Sequence, residues 1–292
     1  MRSRRPSGLT DQELSAALEL NWGLTDLDLE YLPVGAGSYH WRAGRRFFIT
    51  VDDLDNKHYL GNHADAVYER QRSAIETAHA LRQCGLEFVV GPVPAIDGSV
   101  LHRISRRYAV AVYPFLGDPK PFRKTLSEVE RHALSGMLSR LHAARSKHAM
   151  PVPIEVPLRP QLERALSAES APPLMRENGA TIRAWLLRFD ELVGVLAERK
   201  VEPVITHGEP HSGNIVRTSS GFVLVDWDTA GLAPRERDLW LVGEGDPLLC
   251  ELFRLRWRLD DISWAASALD TEPELALRAL QDSIDHEPFT RD

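Results

Sequence analysis

Between Val204 and Asp228 the chain reads VITHGEPHSGNIVRTSSGFVLVDWD. Ile215-Val216-Arg217 and Phe222-Val223-Leu224-Val225 are short β-prone runs joined by Thr218-Ser219-Ser220-Gly221, which predicts a hairpin. A hairpin brings the chain back to where it left, so Asn214 at one end returns beside Asp226 at the other. Glu209 lies five residues before Asn214, on the loop after a short strand at Val204 to Thr206. One carboxylate and one amide oxygen suit Mg²⁺ when nucleotide phosphates complete its shell. A further carboxylate on the neighbouring loop faces an acceptor hydroxyl. Phosphoryl transfer needs those parts, because its catalysis is mostly positioning and charge neutralisation. A lone Asp-x-Trp would read as a polar turn or a helix cap. His-Gly-x-x-His-x-Gly-Asn, a hairpin and then Val-Asp-Trp-Asp is far more specific.

Composition narrows the rest. A chain of 292 residues, 43% hydrophobic and 26% charged, is globular and long enough for one large or two smaller domains. Its net charge of -7 argues against nucleic acid as a partner and suits a cationic small molecule, though acidic surfaces also simply confer solubility. Cys84 and Cys250 have no metal-ligand neighbours and read as core residues, so zinc is not expected. The basic start MRSRRPSGLTDQEL lacks the apolar stretch of a signal peptide. The longest apolar run, Tyr108 to Leu116, falls far short of the ~20 residues of a membrane span, so no membrane partner and a cytoplasmic protein are expected.

The first third alternates short apolar runs with turns. Strands are predicted at Leu29 to Val34, Tyr39 to Arg42, Arg46 to Val51, Val100 to Ser105 and Tyr108 to Phe115. Apolar positions at helical spacing predict a long helix from His63 to Gln83, capped near Gly85. Gly117-Asp118-Pro119-Lys120-Pro121 is the linker candidate. Beyond it Ser127 with Glu130 forms a capping-box pattern, and Thr181 to Glu198 carries a continuous apolar stripe. The expectation is an α+β chain: an N-terminal lobe over 1–116 built on a small antiparallel sheet, and a larger, mainly helical lobe over 117–292.

At the 204–228 string the chain resembles the aminoglycoside phosphotransferase and choline kinase family, whose usual form is His-Gly-Asp-x-His-x-x-Asn followed by Ile-Asp-Trp-Asp/Glu. Leu232-Ala233-Pro234-Arg235-Glu236-Arg237-Asp238-Leu239 and Tyr113-Pro114-Phe115 look most like the spectinomycin phosphotransferases. The resemblance implies the two-lobed protein-kinase-like fold and an ATP- or GTP-dependent kinase acting on a hydroxyl of an aminoglycoside or aminocyclitol. It implies Mg²⁺ held by Asn214 and Asp226, and Glu209 as the catalytic carboxylate. His207 becomes a structural holder of the loop, His211 shapes it, and Asp238 is a buried structural acceptor. Choline, sugars and other amino alcohols remain open as acceptors, and so does a nucleotide-binding role without transfer.

Gly35-Ala36-Gly37-Ser38 stands where a phosphate-covering turn belongs, because glycine lets backbone N–H groups approach a phosphate closely. Tyr113 and Phe115 mark the segment expected to meet the adenine at the junction of the lobes. Asp228, Glu244, Asp260 and Asp261 are the candidate contacts for a cationic acceptor. Two positions depart from the family. Residue 209 is Glu where Asp is usual, which sets the carboxylate one CH₂ further out. Thr50 stands where the third strand normally carries a Lys, so the replacement cation is Lys57, Arg42 or Arg45, and its helical partner Glu69 or Glu76.

Overall fold

The structure is a computed structural model and describes residues 5–35, 37–117, 125–169 and 171–286. It divides into two compact units: residues 1–122 with 143–150 and 207–231, and residues 123–142 with 151–206 and 232–292. Compactness thus partitions the chain differently from the lobes 1–116 and 117–292, which follow chain order. Past Gly117 the linker candidate falls outside the described residues.

The first unit opens with helix α1 (Asp11–Trp22). Its start is a capping box: the Thr10 side chain accepts from the Glu13 N–H, and the Glu13 carboxylate accepts from the Thr10 N–H at 2.7 Å. Leu14, Leu18 and Trp22 share one buried face, packed with Trp41, Ile49, Val51, Val110 and Val112. Burying each stabilises by about 1.5–3 kcal/mol. This helix is absent from the expectations above, although Thr-x-x-Glu followed by apolar residues four apart is its signature.

Five strands form one antiparallel sheet in the order β1-β2-β3-β5-β4. They are β1 (Leu29–Leu32), β2 (Tyr39–Ala43), β3 (Phe47–Asp53), β4 (His102–Arg103) and β5 (Tyr108–Pro114). Side chains alternate across a strand. Ile49 and Val51 of β3 therefore join the α1 core, while Phe48, Thr50 and Asp52 point to the other side. There α2 (Ala64–Gln83) lays Val67 and Ile75 against Ala109 and Ala111 of β5. β4 is shorter than predicted because the chain turns early: the N–H groups of Ile104 and Ser105 both donate to the Tyr108 carbonyl.

The predicted hairpin is present as β7 (Ile215–Thr218) and β8 (Gly221–Leu224), with Thr218 opposite Gly221. Gly221 takes φ +124°, a conformation that glycine adopts without strain. The hairpin is tied to the same unit by two bonds: Val90 N–H donates to the Leu224 carbonyl at 3.0 Å, and Leu224 N–H to the Phe88 carbonyl at 2.7 Å.

The second unit is mainly helical, with α3 (Glu128–Ala143), α4 (Arg159–Ser167), α5 (Pro173–Glu198), α6 (Glu236–Leu239), α7 (Pro247–Ala268) and α8 (Pro273–Asp285), and β6 (Val204–Thr206) paired with β9 (Gly231–Ala233). The Ser127–Glu130 box closes as predicted. α5 starts earlier than its apolar stripe suggested, since proline is favoured in a first helical turn and Met175 and Gly179 are buried there. Leu162, Ile182, Leu186, Phe189, Leu252 and Leu259 belong to the buried core. Of the two cysteines expected in the core, Cys250 is buried but Cys84 is exposed, because it caps α2 beyond the last turn of the helix's buried face. Among the described residues no helix is long and apolar enough to cross a membrane.

Candidate active site

His207 is fully buried and holds both ends of the motif. Its Nδ1 accepts from the Glu209 N–H at 3.2 Å, which leaves the proton on Nε2 to be donated to the Val225 carbonyl at 2.9 Å. The ring also packs on Trp227, centroids 4.5 Å apart. Pro210 disfavours helical backbone at Glu209, whose side chain stays partly exposed. Asn214 is buried, and its amide nitrogen donates to the Glu209 carbonyl at 2.9 Å, leaving the amide oxygen as the atom that can ligate. Val225 N–H donates to the Asn214 carbonyl at 3.0 Å. His211 Nδ1 accepts from Gly213 N–H, and burial, then the charge of His207, pushes its pKa down to about 4.

Asp226 follows β8 with φ +64°, a left-handed conformation that Asp tolerates better than most residues. It is exposed at the surface, yet the protein around it strips part of its solvation. Loss of solvation, then the charges of Asp228 and Glu209, raise its carboxyl well above the ordinary range, with Lys57 opposing. Two residues on, Asp228 behaves oppositely. Burial works against its charge, but Lys57 outweighs it and holds the pKa low. Lys57 Nζ lies 2.5 Å from Asp228 and 2.8 Å from Asp52. Burial disfavours the ammonium, but these two carboxylates keep it firmly charged.

Of the three candidate replacement cations, Lys57, on the connection after β3, is the one that lies beside Asp228 and Asp52. Arg42 instead pairs with Glu30, and Arg45 is exposed at the β2–β3 turn. Neither Glu69 nor Glu76 is its partner. Both pair with Arg72, and Glu76 also meets His148 at 2.9 Å. The residue of α2 that reaches inward is Gln71, whose amide donates to Asp52. Sequence reasoning missed Gln71 and Asp52; an Asp and a Gln at core-facing positions were the available signal.

Gly35 takes φ +70°, and a Cβ there would stand 3.2 Å from His40 Nε2. Ala36 lies outside the described residues. Gly37 passes Tyr59, and Ser38 is buried with its hydroxyl donating to Asp52 at 2.5 Å. Thr50 stands opposite His40 and Ala111, and Tyr113 opposite Phe48. Phe115 donates its N–H to the Arg46 carbonyl at 2.9 Å, so that donor is already used.

A family model described as "Phosphotransferase enzyme family" matches residues 42–277. The chain belongs to the phosphotransferase enzyme family. This phosphotransferase is 27% identical over 270 residues to Protein StrN of Streptomyces griseus, covering 80% of the chain and 77% of that protein. Its fold is that of spectinomycin phosphotransferase, solved with ADP and spectinomycin: TM-score 0.73, 17% identity, 97% of each chain covered. An amicoumacin kinase matches with TM-score 0.61 and 15% identity over 97% of this chain and 95% of that one. A microcompartment-associated aminopropanol kinase matches with TM-score 0.63 and 14% identity over 94% of each. The α+β, protein-kinase-like fold expected from the motif is thus the fold of this phosphotransferase.

In the helical unit Asp238 is fully buried and accepts from His142 Nε2 at 3.0 Å. Glu244 is exposed and accepts from Ser135 at 2.8 Å. Asp260 pairs with Arg256 at 3.6 Å, and Asp261 is exposed. Glu244 precedes α7, whereas Asp260 lies about 20 Å along it at 1.5 Å per residue. These acids do not form one cluster.

Proposed function

We propose that this phosphotransferase moves the γ-phosphoryl of ATP, or GTP, to a hydroxyl of an aminocyclitol- or aminoglycoside-like acceptor. The observation that carries the reading is the bonding of Glu209, Asn214 and Asp226 into one loop pair: Asn214 to the Glu209 carbonyl, and Val225, beside Asp226, to Asn214. Glu209 orients the acceptor hydroxyl and takes its proton. The hydroxyl oxygen forms the new P–O bond, and the electron pair of the broken bond leaves on the ADP oxygen. Asn214 and Asp226 supply hard oxygens, and their donor set fits Mg²⁺. Among the described residues no three His, Cys, Asp or Glu side chains gather to hold a metal ion; an ion that keeps waters and phosphate oxygens needs no such cage. When bound, the ion supplies charge neutralisation at the phosphates. His207 and Asp238 serve as structural supports. Tyr113 and Phe115 line the base, Gly35, Gly37 and Ser38 the phosphates, and such ATP chemistry belongs in the cytoplasm.

The acceptor class rests on the relatives, which act on or bind spectinomycin and aminopropanol, and on the acidic charge of the chain. Glu244, Asp260 and Asp261 remain candidates for separate cationic groups of a large acceptor rather than for one ammonium. Asp228 is already paired with Lys57 and is a weaker candidate. The test is ADP release across an acceptor panel of spectinomycin, aminoglycosides and aminopropanol. At least one acceptor is expected to turn over, and Glu209→Gln to reduce kcat about 10²–10⁴-fold. Nucleotide binding without transfer to any of them, or full activity of Glu209→Gln, would refute the reading.

A further inference from the structure

Lys57 is 1% exposed and spends its three N–H groups on protein. Asp52 and Asp228 lie at 2.8 and 2.5 Å, and the Tyr59 hydroxyl at 3.2 Å. As mere packing this is a costly choice, since a buried ion pair is commonly no more stable than apolar residues of the same volume. The surroundings give it a purpose. Ser38, at the end of the glycine turn, donates to Asp52, and Gly37 passes the Tyr59 hydroxyl, which itself donates to Asp228 at 3.0 Å. One network therefore joins the glycine turn, Lys57 and the loop of Asp226 and Asp228. The third member bonded to Asp52 is the uncharged Gln71, so two carboxylates hold one ammonium. The side chain of Asp228 is 15% exposed, against 1% for Asp52 and Lys57, so the network opens to solvent on the Asp228 side.

We infer that Lys57, delivered from the connection after β3, is the cation that meets the α and β phosphates of the donor, and that Asp52 and Asp228 are its positioning residues. This rests on the phosphotransfer reading. Phosphate oxygens take the place of Tyr59 or Asp228 on one N–H, while Asp52 keeps another. Thr50, uncharged on the strand, then has no electrostatic duty, which explains why the site dispenses with a lysine there.

The test removes Lys57 together with the Asp52 charge, because Lys57→Met alone would bury Asp52 without its counter-ion. Calorimetry measures Mg·ADP and adenosine binding to wild type, Asp52→Asn and Asp52→Asn/Lys57→Met. Asp52→Asn removes one of the two carboxylates that position Lys57, so it is expected to bind Mg·ADP modestly more weakly than wild type, and it is the reference for the double variant. The double variant should bind it about 10- to 100-fold more weakly, the value of a charge-assisted hydrogen bond. Adenosine, which carries no phosphate, should bind both variants alike, and so controls for folding. Equal Mg·ADP affinity in the two variants overturns the inference, and so does a matching loss for adenosine, which would mark Lys57 as structural. A wild type that binds no Mg·ADP would instead sink the phosphotransfer reading itself.

Discussion

The Val225 N–H donates to the Asn214 carbonyl at 3.0 Å, so the residue just before Asp226 is pinned to Asn214 across the hairpin. The two candidate ligands are twelve residues apart in sequence, yet their separation is set by one bond and one turn. On the other side, His207 bonds the backbone at both Glu209 and Val225. Position, more than the reactivity of any one side chain, is what this loop pair provides.

Asp226 should show opposite responses to two substitutions. Asn tolerates φ +64° and removes the repulsion from Asp228 and Glu209. Asp226→Asn should therefore be at least as stable as wild type in urea, while Mg²⁺-dependent turnover collapses. Asp226→Ala loses the same repulsion but meets the left-handed backbone penalty of about 1–2 kcal/mol. A less stable Asn than Ala variant would contradict this account.

His207→Leu should be structurally expensive. It strands the Glu209 N–H and the Val225 carbonyl without this partner, each costing about 1–3 kcal/mol. Urea unfolding should show a loss of about 2–4 kcal/mol. A near-neutral result would show that the loop does not depend on the imidazole.

The acid limb of stability should report on His211. Its folded pKa is about 4 against the ordinary 6.5. Between those values the unfolded chain takes up a proton that the folded chain refuses. The contribution is therefore fully present above pH 6.5, falls as pH drops towards 4 and is flat below. It amounts to at most about 3.5 kcal/mol. Unfolding free energies from pH 7 to 4 should decline less steeply for His211→Asn; parallel curves would exclude the histidine as the cause.

Helix α1 should be a working part of the sheet core. Leu18 is 0% exposed, so Leu18→Ala should cost about 2–5 kcal/mol. Thr10→Ala, which opens the capping box, should cost about 0.5–2 kcal/mol. Thermal melts at fixed pH measure both; small effects at Leu18 would mean that α1 is only loosely held.

Much of this molecule is legible residue by residue. The hairpin follows from two β-prone runs around Ser219-Ser220-Gly221, and α3 from its Ser127–Glu130 box. α1 was just as legible from Thr10, Glu13, Leu14 and Leu18, but its pattern is short and follows a basic, polar start. The limits of β4 were not legible, because the early turn at Tyr108 depends on which carbonyl the Ile104 and Ser105 N–H groups find. Cys84 was misplaced because a small apolar residue near a helix end gives no sign of whether the buried face extends that far.

The sequence by itself determined the phosphotransferase motif, the spacing of Glu209, Asn214 and Asp226, and the absence of a lysine at Thr50, because local patterns of turn and strand carry those facts. Only the tertiary structure decided where Lys57 lies and which carboxylates hold it. Lys57 and Asp228 are 171 positions apart, and Gln71 lies on a different element from the Asp52 it bonds. No local propensity links such residues. Burial does, since an ammonium withdrawn from water must find its carboxylates wherever the fold has placed them.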